Sequence, residues 1–190
     1  DPATPANSHW VFLIYSGSDE TYGFFTSKDL IHWEQASEII DAGGSECPDM
    51  FQLPLDGDKG EMKWIFWTGN SRYTIGSFDG KTFHKESGPH KAADGGDPRF
   101  GGNEYAAQTF ANIPPEDGRC LQIAWMIWAG FPTPTPFQQQ LTILRSLSLK
   151  STPAGPRLFI NPARDIEGLR TGISAKMTMS LDGTDIQLKE

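Results

Sequence analysis

Short apolar runs closed by turn clusters are what most narrow the folds open to this chain. Trp10-Val11-Phe12-Leu13-Ile14-Tyr15, Trp64-Ile65-Phe66-Trp67 and Ile123-Ala124-Trp125-Met126-Ile127-Trp128 are continuous and short, the form expected of strands buried on both faces. Around 141–149 the pattern alternates instead, with Leu141, Ile143, Leu147 and Leu149 on one face and Thr142, Ser146 and Ser148 opposite. Met177, Met179 and Leu181 alternate again near the end. Between the runs lie Gly17-Ser18-Asp19, Asp56-Gly57-Asp58, Asp79-Gly80 and Asp182-Gly183. Asp79-Gly80, set between Tyr73–Phe78 and Lys81-Thr82-Phe83, predicts a hairpin with a type I′ turn. Only Asp29–Ile40 has a helical spacing, through Leu30, Trp33 and Ile40, and strands on both flanks favour strand–turn–strand there. Short strands with frequent Asp-Gly turns imply an all-β sandwich, barrel or propeller. The Pro-rich Ser151–Pro162 segment is expected to cross between sheets.

Charge and composition remove several function classes. A net charge of −8 disfavours nucleic acid and anionic membranes as partners, since both recruit basic patches. No apolar stretch reaches the ~18 residues of a helical membrane span. Neither Cys nor His recurs at metal-ligand spacing, so no metal is expected; no other cofactor is expected either. Cys47 and Cys120 could pair or stay free. Six Trp within 12% aromatics suit a large β core or a sugar-binding surface equally. The chain starts at Asp1-Pro2 rather than Met, which points to an upstream segment and leaves any targeting signal unread.

Chemistry concentrates in Ser45-Glu46-Cys47-Pro48-Asp49. Gly43-Gly44 and Pro48 build a turn ahead of the apolar Met50-Phe51-Gln52-Leu53 run, which places Glu46 at a strand end. A carboxyl hemmed in there by Cys47 and Pro48 is placed to hold a proton, because desolvation disfavours the charged form. Asp49 is suited to orient Glu46 or cap its turn. Cys47 suits a packed side chain better than a reactive thiol, with no base or cation beside it in sequence.

Several segments together resemble glycoside hydrolase family 32, the invertase, levanase and inulinase group. They are Thr26-Ser27-Lys28-Asp29-Leu30 with Trp33-Glu34, Glu46-Cys47-Pro48-Asp49, Arg72 to Phe83, Tyr105-Ala106-Ala107-Gln108-Thr109-Phe110, Trp125-Met126 and Pro136-Phe137-Gln138-Gln139-Gln140. The resemblance implies a partial five-bladed β-propeller of antiparallel four-stranded blades over residues 1–170, with at most a turn or two of helix. Residues 171–190 would be its last strands or the start of a following β-sandwich. It implies a glycosidase acting on β-fructofuranosides such as sucrose, levan or inulin, by a retaining mechanism with Glu46 as general acid/base. Asp1, as the remnant of an Arg-Asp-Pro motif, would hold fructose hydroxyls. Asp49, Tyr105, Gln108 and Trp125 would border the sugar, although packing is the default for Trp125.

The family's nucleophile motif, of Trp-Met-Asn-Asp-Pro-Asn-Gly type, is absent from these residues. The chain therefore resembles the second half of the propeller, and exposed sheet faces inviting self-association or a missing N-terminal half are expected. A secreted or extracytoplasmic setting is what the resemblance favours. Two departures bear on substrate preference: the long Gly95–Gly102 loop, and Leu144-Arg145-Ser146-Leu147 where the family has Pro-Arg-Glu-Leu. The competing functions are an inactive carbohydrate-binding or structural fragment and a related propeller acting on arabinan or xylan. The Tyr-Ala-Ala-Gln-Thr-Phe run argues against the last.

Overall fold

The computed structural model describes residues 8–40, 42–92, 104–126, 136 and 140–172. Three antiparallel meanders follow one another along the chain. The first joins β1 (Trp10–Ser16), β2 (Thr21–Ser27) and β3 (Glu34–Ile40). The second joins β4 (Asp49–Leu55), β5 (Asp58–Trp67), β6 (Arg72–Phe78) and β7 (Phe83–Lys91). In the third, β8 (Glu104–Thr109) pairs with β9 (Cys120–Met126), which pairs with β11 (Arg145–Lys150), which pairs with β12 (Arg157–Pro162). The short β10 (Gln140–Leu141) also lies on β9. A single parallel bridge, Leu149 to Leu55, joins the second and third meanders, and Asp56 N donates to Leu149 O at 3.0 Å beside it. The described sheets do not close on themselves, so a complete five-bladed ring is not what these residues form. A 3₁₀ helix over Arg164–Leu169 is the one helix among the described residues. Of the segment 171–190, only its first two residues are described.

The core is built around β5. Ile65, Phe66 and Trp67 are all fully buried, and strand alternation sends them to opposite faces. Ile65 and Trp67 join Phe51, Leu53, Tyr73 and Ile75 against Ala107, Ala124, Leu147 and Leu149 of the third meander. Phe66 faces the first meander, where Tyr22 meets it edge-on at 5.0 Å between ring centroids and Phe24 lies at 6.4 Å. The expectation of a strand buried on both faces therefore holds for Trp64–Trp67.

It fails for Trp10–Tyr15. Leu13 and Tyr15 pack toward the aromatic core, but Trp10, Phe12 and Ile14 are 57%, 48% and 44% exposed. β1 is the edge strand of its sheet, and no described element covers its second face. A continuous apolar run records what both faces could bury, not whether both have a neighbour.

Turn chemistry also departs from expectation. The type I′ geometry falls at Asp56-Gly57, where φ is +53° and +84° between the paired Leu55 and Asp58. At Asp79-Gly80 the connection is four residues long, because Phe78 pairs with Phe83, and Gly80 alone there is left-handed. The Asp79 carboxylate closes this loop by accepting from Lys81 N at 2.9 Å and Thr82 N at 2.7 Å. Asp29 does the same between β2 and β3, accepting from Ile31 N at 2.9 Å and His32 N at 2.8 Å. Ser27-x-Asp29 and Ser77-x-Asp79 thus mark one device used in two successive sheets. Asp29–Ile40 is turn and strand, as its flanks required. Ser151–Pro162 is no crossing: Thr152 and Gly155 exchange backbone hydrogen bonds and close a hairpin from β11 to β12. Leu147 and Leu149 are buried as their alternation implies, while Leu141 and Ile143 are exposed, since β10 and β11 do not form one continuous strand. The alternation of Met177, Met179 and Leu181 lies outside the described residues.

Two outcomes follow. Phe66→Ala is expected to lower unfolding free energy by about 3–5 kcal/mol in urea titration, since it empties the contact between two sheets. His84 foremost, with the two backbone N–H groups, holds the Asp79 carboxyl down at about 2 against an ordinary 3.8. A depressed carboxyl stabilises the fold above its unfolded value and ceases to do so as pH falls through its folded value. The melting-temperature advantage of wild type over Asp79→Asn should therefore be complete above pH 3.8 and disappear as pH falls through about 2.

Candidate active site

The loop ahead of β4 is held in an unusual backbone conformation. Glu46 and Cys47 are both left-handed, with φ of +50° and +39°. Such non-glycine conformations persist only where surrounding contacts over-determine them. Those contacts are present. Gly69 N donates to both Ser45 O and Glu46 O at 3.0 Å, and Gly69 O accepts from Ala106 N at 2.9 Å. Gly44 sits so close to the turn after β5 that a Cβ there would lie 1.9 Å from Thr68 Oγ1.

From the other side, β8 grips the loop along its length. Tyr105 Oη donates to Glu46 Oε2 at 2.5 Å. Gln108 Nε2 donates to Cys47 O at 3.2 Å. Thr109 N donates to Asp49 Oδ2 at 2.6 Å, while the other Asp49 oxygen accepts from Met50 N at 2.8 Å. A bulge makes this spacing possible: the register against β9 shifts between Tyr105 and Gln108, and Ala106 is left-handed at φ +53°. Trp125 on β9 presents a T-shaped contact to the Tyr105 ring at 6.5 Å. Its indole Nε1 is buried without a partner among the described residues.

Burial dominates the electrostatics. It pushes the Tyr105 hydroxyl up to about 12, and the bond to Glu46 adds to the effect. Burial raises the Asp49 carboxyl despite its backbone donors. It raises the Cys47 thiol, with the Glu46 charge acting in the same direction. Cys120 is pushed up to about 12, first by burial and then by the charge of Asp49. Both thiols are unpaired and neither is activated, which suits packing.

The structure thus brings together Glu46, Asp49, Tyr105, Gln108 and Trp125. Asp1 lies outside the described residues, as do Gly95–Gly102 and Gln138. One expectation needs correction. Glu46 is exposed rather than hemmed in by Cys47 and Pro48, because it sits on the loop before the strand, with Tyr105 as its hydrogen-bonded neighbour. The polar bonds of Asp49 and Gln108 seen here hold the loop and β8 together: Asp49 accepts from Thr109 N and Met50 N, and Gln108 donates to Cys47 O.

Sequence reasoning also missed a buried polar cluster behind the site. Arg145 donates to Glu104 Oε2 and, at 2.7 Å, to Gln122 Oε1, while Ser71 Oγ donates to Glu104 Oε1 at 2.7 Å. It ties β8, β9 and β11 to the turn between β5 and β6. The available signal was Arg145 itself, a charge on the same alternating face as Leu147 and Leu149.

A carboxyl group presented at the head of a strand and held by a tyrosine is the arrangement of a candidate proton donor. Residues 1–162 match the family model described as glycosyl hydrolases family 32 N-terminal domain, and the chain belongs to that family. It is 33% identical over 187 residues to a levanase of Bacillus subtilis (strain 168), covering 88% of this chain and 26% of the levanase. It is 26% identical over 159 residues to invertase 2 of Saccharomyces cerevisiae, covering 75% of this chain and 29% of the invertase. Among solved structures, exo-inulinase from Aspergillus awamori matches with a TM-score of 0.63 and 25% identity, over 81% of this chain and 33% of that one. The chain therefore spans about a quarter to a third of the length of these relatives.

If Asp49 clamps the loop to β8, Asp49→Ala should cost about 1–3 kcal/mol by leaving the Thr109 and Met50 N–H groups without their acceptor. Gln108→Ala, at an exposed side chain, should change stability by less than about 0.5 kcal/mol. Urea denaturation of the two variants reads the difference.

Proposed function

We propose that this chain is the acid/base portion of a β-fructofuranosidase hydrolysing sucrose, levan or inulin type bonds with retention. The observation that carries this reading is the Glu46 carboxylate, presented on an over-determined loop and bonded by Tyr105 at 2.5 Å, within a chain of family 32. Glu46 protonates the oxygen of the departing sugar or fructan, and the bond to the anomeric carbon breaks with its electron pair leaving on that oxygen. Glu46 then takes a proton from the water that attacks the fructosyl intermediate. The nucleophilic carboxylate comes from outside these 190 residues, which hold no motif of the Trp-Met-Asn-Asp-Pro-Asn-Gly type. It would stand ~5 Å from Glu46, the separation that retaining chemistry uses. Asp1 would hold fructose hydroxyls, and Trp125 would form part of the wall beside Tyr105. The substrate range follows the names of the relatives, levanase, invertase and exo-inulinase.

The exposure of Glu46 and the absent nucleophile motif favour one second reading, an inactive carbohydrate-binding fragment. Kinetics separate the two. In the complete fructosidase, Glu46→Gln should lower sucrose or levan turnover by about 10²–10⁴-fold with the fold intact by circular dichroism, the range general acid catalysis supplies. Unchanged turnover would remove Glu46 from the mechanism. The isolated chain should release no fructose, and release abolished by Glu46→Gln would show that it holds its own nucleophile.

A further inference from the structure

We propose that Tyr105 is a positioning residue that selects which oxygen of Glu46 delivers the proton. The inference rests on the acid/base reading of Glu46 and deepens it. Tyr105 Oη donates to Oε2 at 2.5 Å, which among the described residues leaves Oε1 as the oxygen free to carry a transferable proton. A carboxyl group with two equivalent oxygens presents its proton on either, and half of those arrangements face away from the leaving group. A donor fixed on one oxygen removes that ambiguity.

The fixing is built into the backbone. Gly69 binds the acid loop through its N–H, to Ser45 O and Glu46 O, and binds β8 through its carbonyl, from Ala106 N. One residue thus rivets the segment carrying Glu46 to the segment carrying Tyr105. It must be glycine, since a Cβ there would lie 2.8 Å from Ser45 O and 3.2 Å from Tyr105 Cζ. The left-handed Ala106 follows Tyr105 directly, and the edge-on Trp125 restrains its ring. Burial keeps the tyrosine protonated, up to about 12, so it donates throughout the working range and keeps its own proton. In the first step the proton on Oε1 moves to the glycosidic oxygen as the C–O bond breaks. In the second, Oε1 accepts a proton from water, and the Tyr105 bond to Oε2 persists through both.

The test compares two substrates in the complete fructosidase. Glucose leaves sucrose as a poorly stabilised alkoxide and needs the proton; p-nitrophenolate leaves p-nitrophenyl β-D-fructofuranoside readily and needs it little. Tyr105→Phe should lower kcat on sucrose about tenfold, keep KM within about twofold and lower kcat on the aryl fructoside less than about threefold. The ratio of the two kcat values cancels the amount of folded enzyme, so partial loss of fold does not obscure the result. An equal loss on both substrates would mean that Tyr105 only packs, and would overturn the proposal. So would a raised KM at constant kcat, which would make Tyr105 a sugar ligand. Glu46→Gln, run alongside, separates the two levels of failure. If it spares sucrose turnover, the acid/base reading falls and this inference with it. If it shows the leaving-group dependence and Tyr105→Phe does not, this inference alone falls.

Discussion

The packing of the three meanders hangs on the end of a single strand, β5, where Ile65, Phe66 and Trp67 bury both faces. Ile65 and Trp67 of β5 pack into the third meander, and Phe66 packs into the first, all without solvent exposure. Full burial of side chains this large stabilises by roughly 1.5–3 kcal/mol each. Alternation along a strand makes the two contacts compatible, because neighbouring residues face opposite ways. β5 therefore sets how the three meanders stack. Its last residue, Trp67, leads through Thr68 to Gly69, whose N–H holds the loop carrying Glu46. The geometry of the site is inherited from the core through a turn of very few residues.

That inheritance explains why a strained loop can be kept. Consecutive left-handed residues at Glu46 and Cys47 are unfavourable in isolation. Here backbone donors from Gly69, a side-chain donor from Gln108 and the Asp49 bridge to Thr109 hold the segment at several points. Most of these partners are main-chain atoms of neighbouring elements, so the conformation depends on sheet stacking more than on local side-chain identity. The buried Glu104–Arg145–Gln122 cluster adds a second tie between the same elements, from behind.

Much of this was legible in the residues, and the parts that were not have physical causes. The double burial of Trp64–Trp67 could be read because apolar side chains on both faces need partners on both faces. The same logic misled at Trp10–Tyr15, where the pattern is similar but one face has no described neighbour. Asp56-Gly57 and Asp79-Gly80 marked turns correctly, while Asp182-Gly183 lies outside the described residues, and loop length was hidden. At Asp79 the side chain bonds the backbone and admits a four-residue connection, while at Asp56 the I′ geometry stands. Glu46 and Asp49 stood out from their own turn, Tyr105 and Gln108 only through a family resemblance, and the structure brings the four together. Their division of labour could not be read, since a glutamine that holds a carbonyl and one that holds a sugar are the same letter. Arg145 escaped notice as a buried group because its partners lie on other strands.

The repeated Ser-x-Asp turn has a consequence for how the chain reaches this arrangement. The bonds that Asp29 and Asp79 make to their own loops reach only groups a few positions away, so each hairpin carries instructions for its own closure. His9 and Ser37 add distant contacts on Gly80 O and Lys81 O. Nearly all strand pairings join neighbours in sequence, and the only described parallel pairing between distant strands is one bridge, Leu149 to Leu55. Chains dominated by such short-range pairing form their contacts quickly, because little loop entropy is lost before each contact forms. The meanders can thus be completed one after another as the polypeptide leaves the ribosome, with the edge-on contact of Tyr22 on Phe66 available as soon as the second has emerged. The loop carrying Glu46, whose grip requires β8, is necessarily among the last parts to acquire its shape.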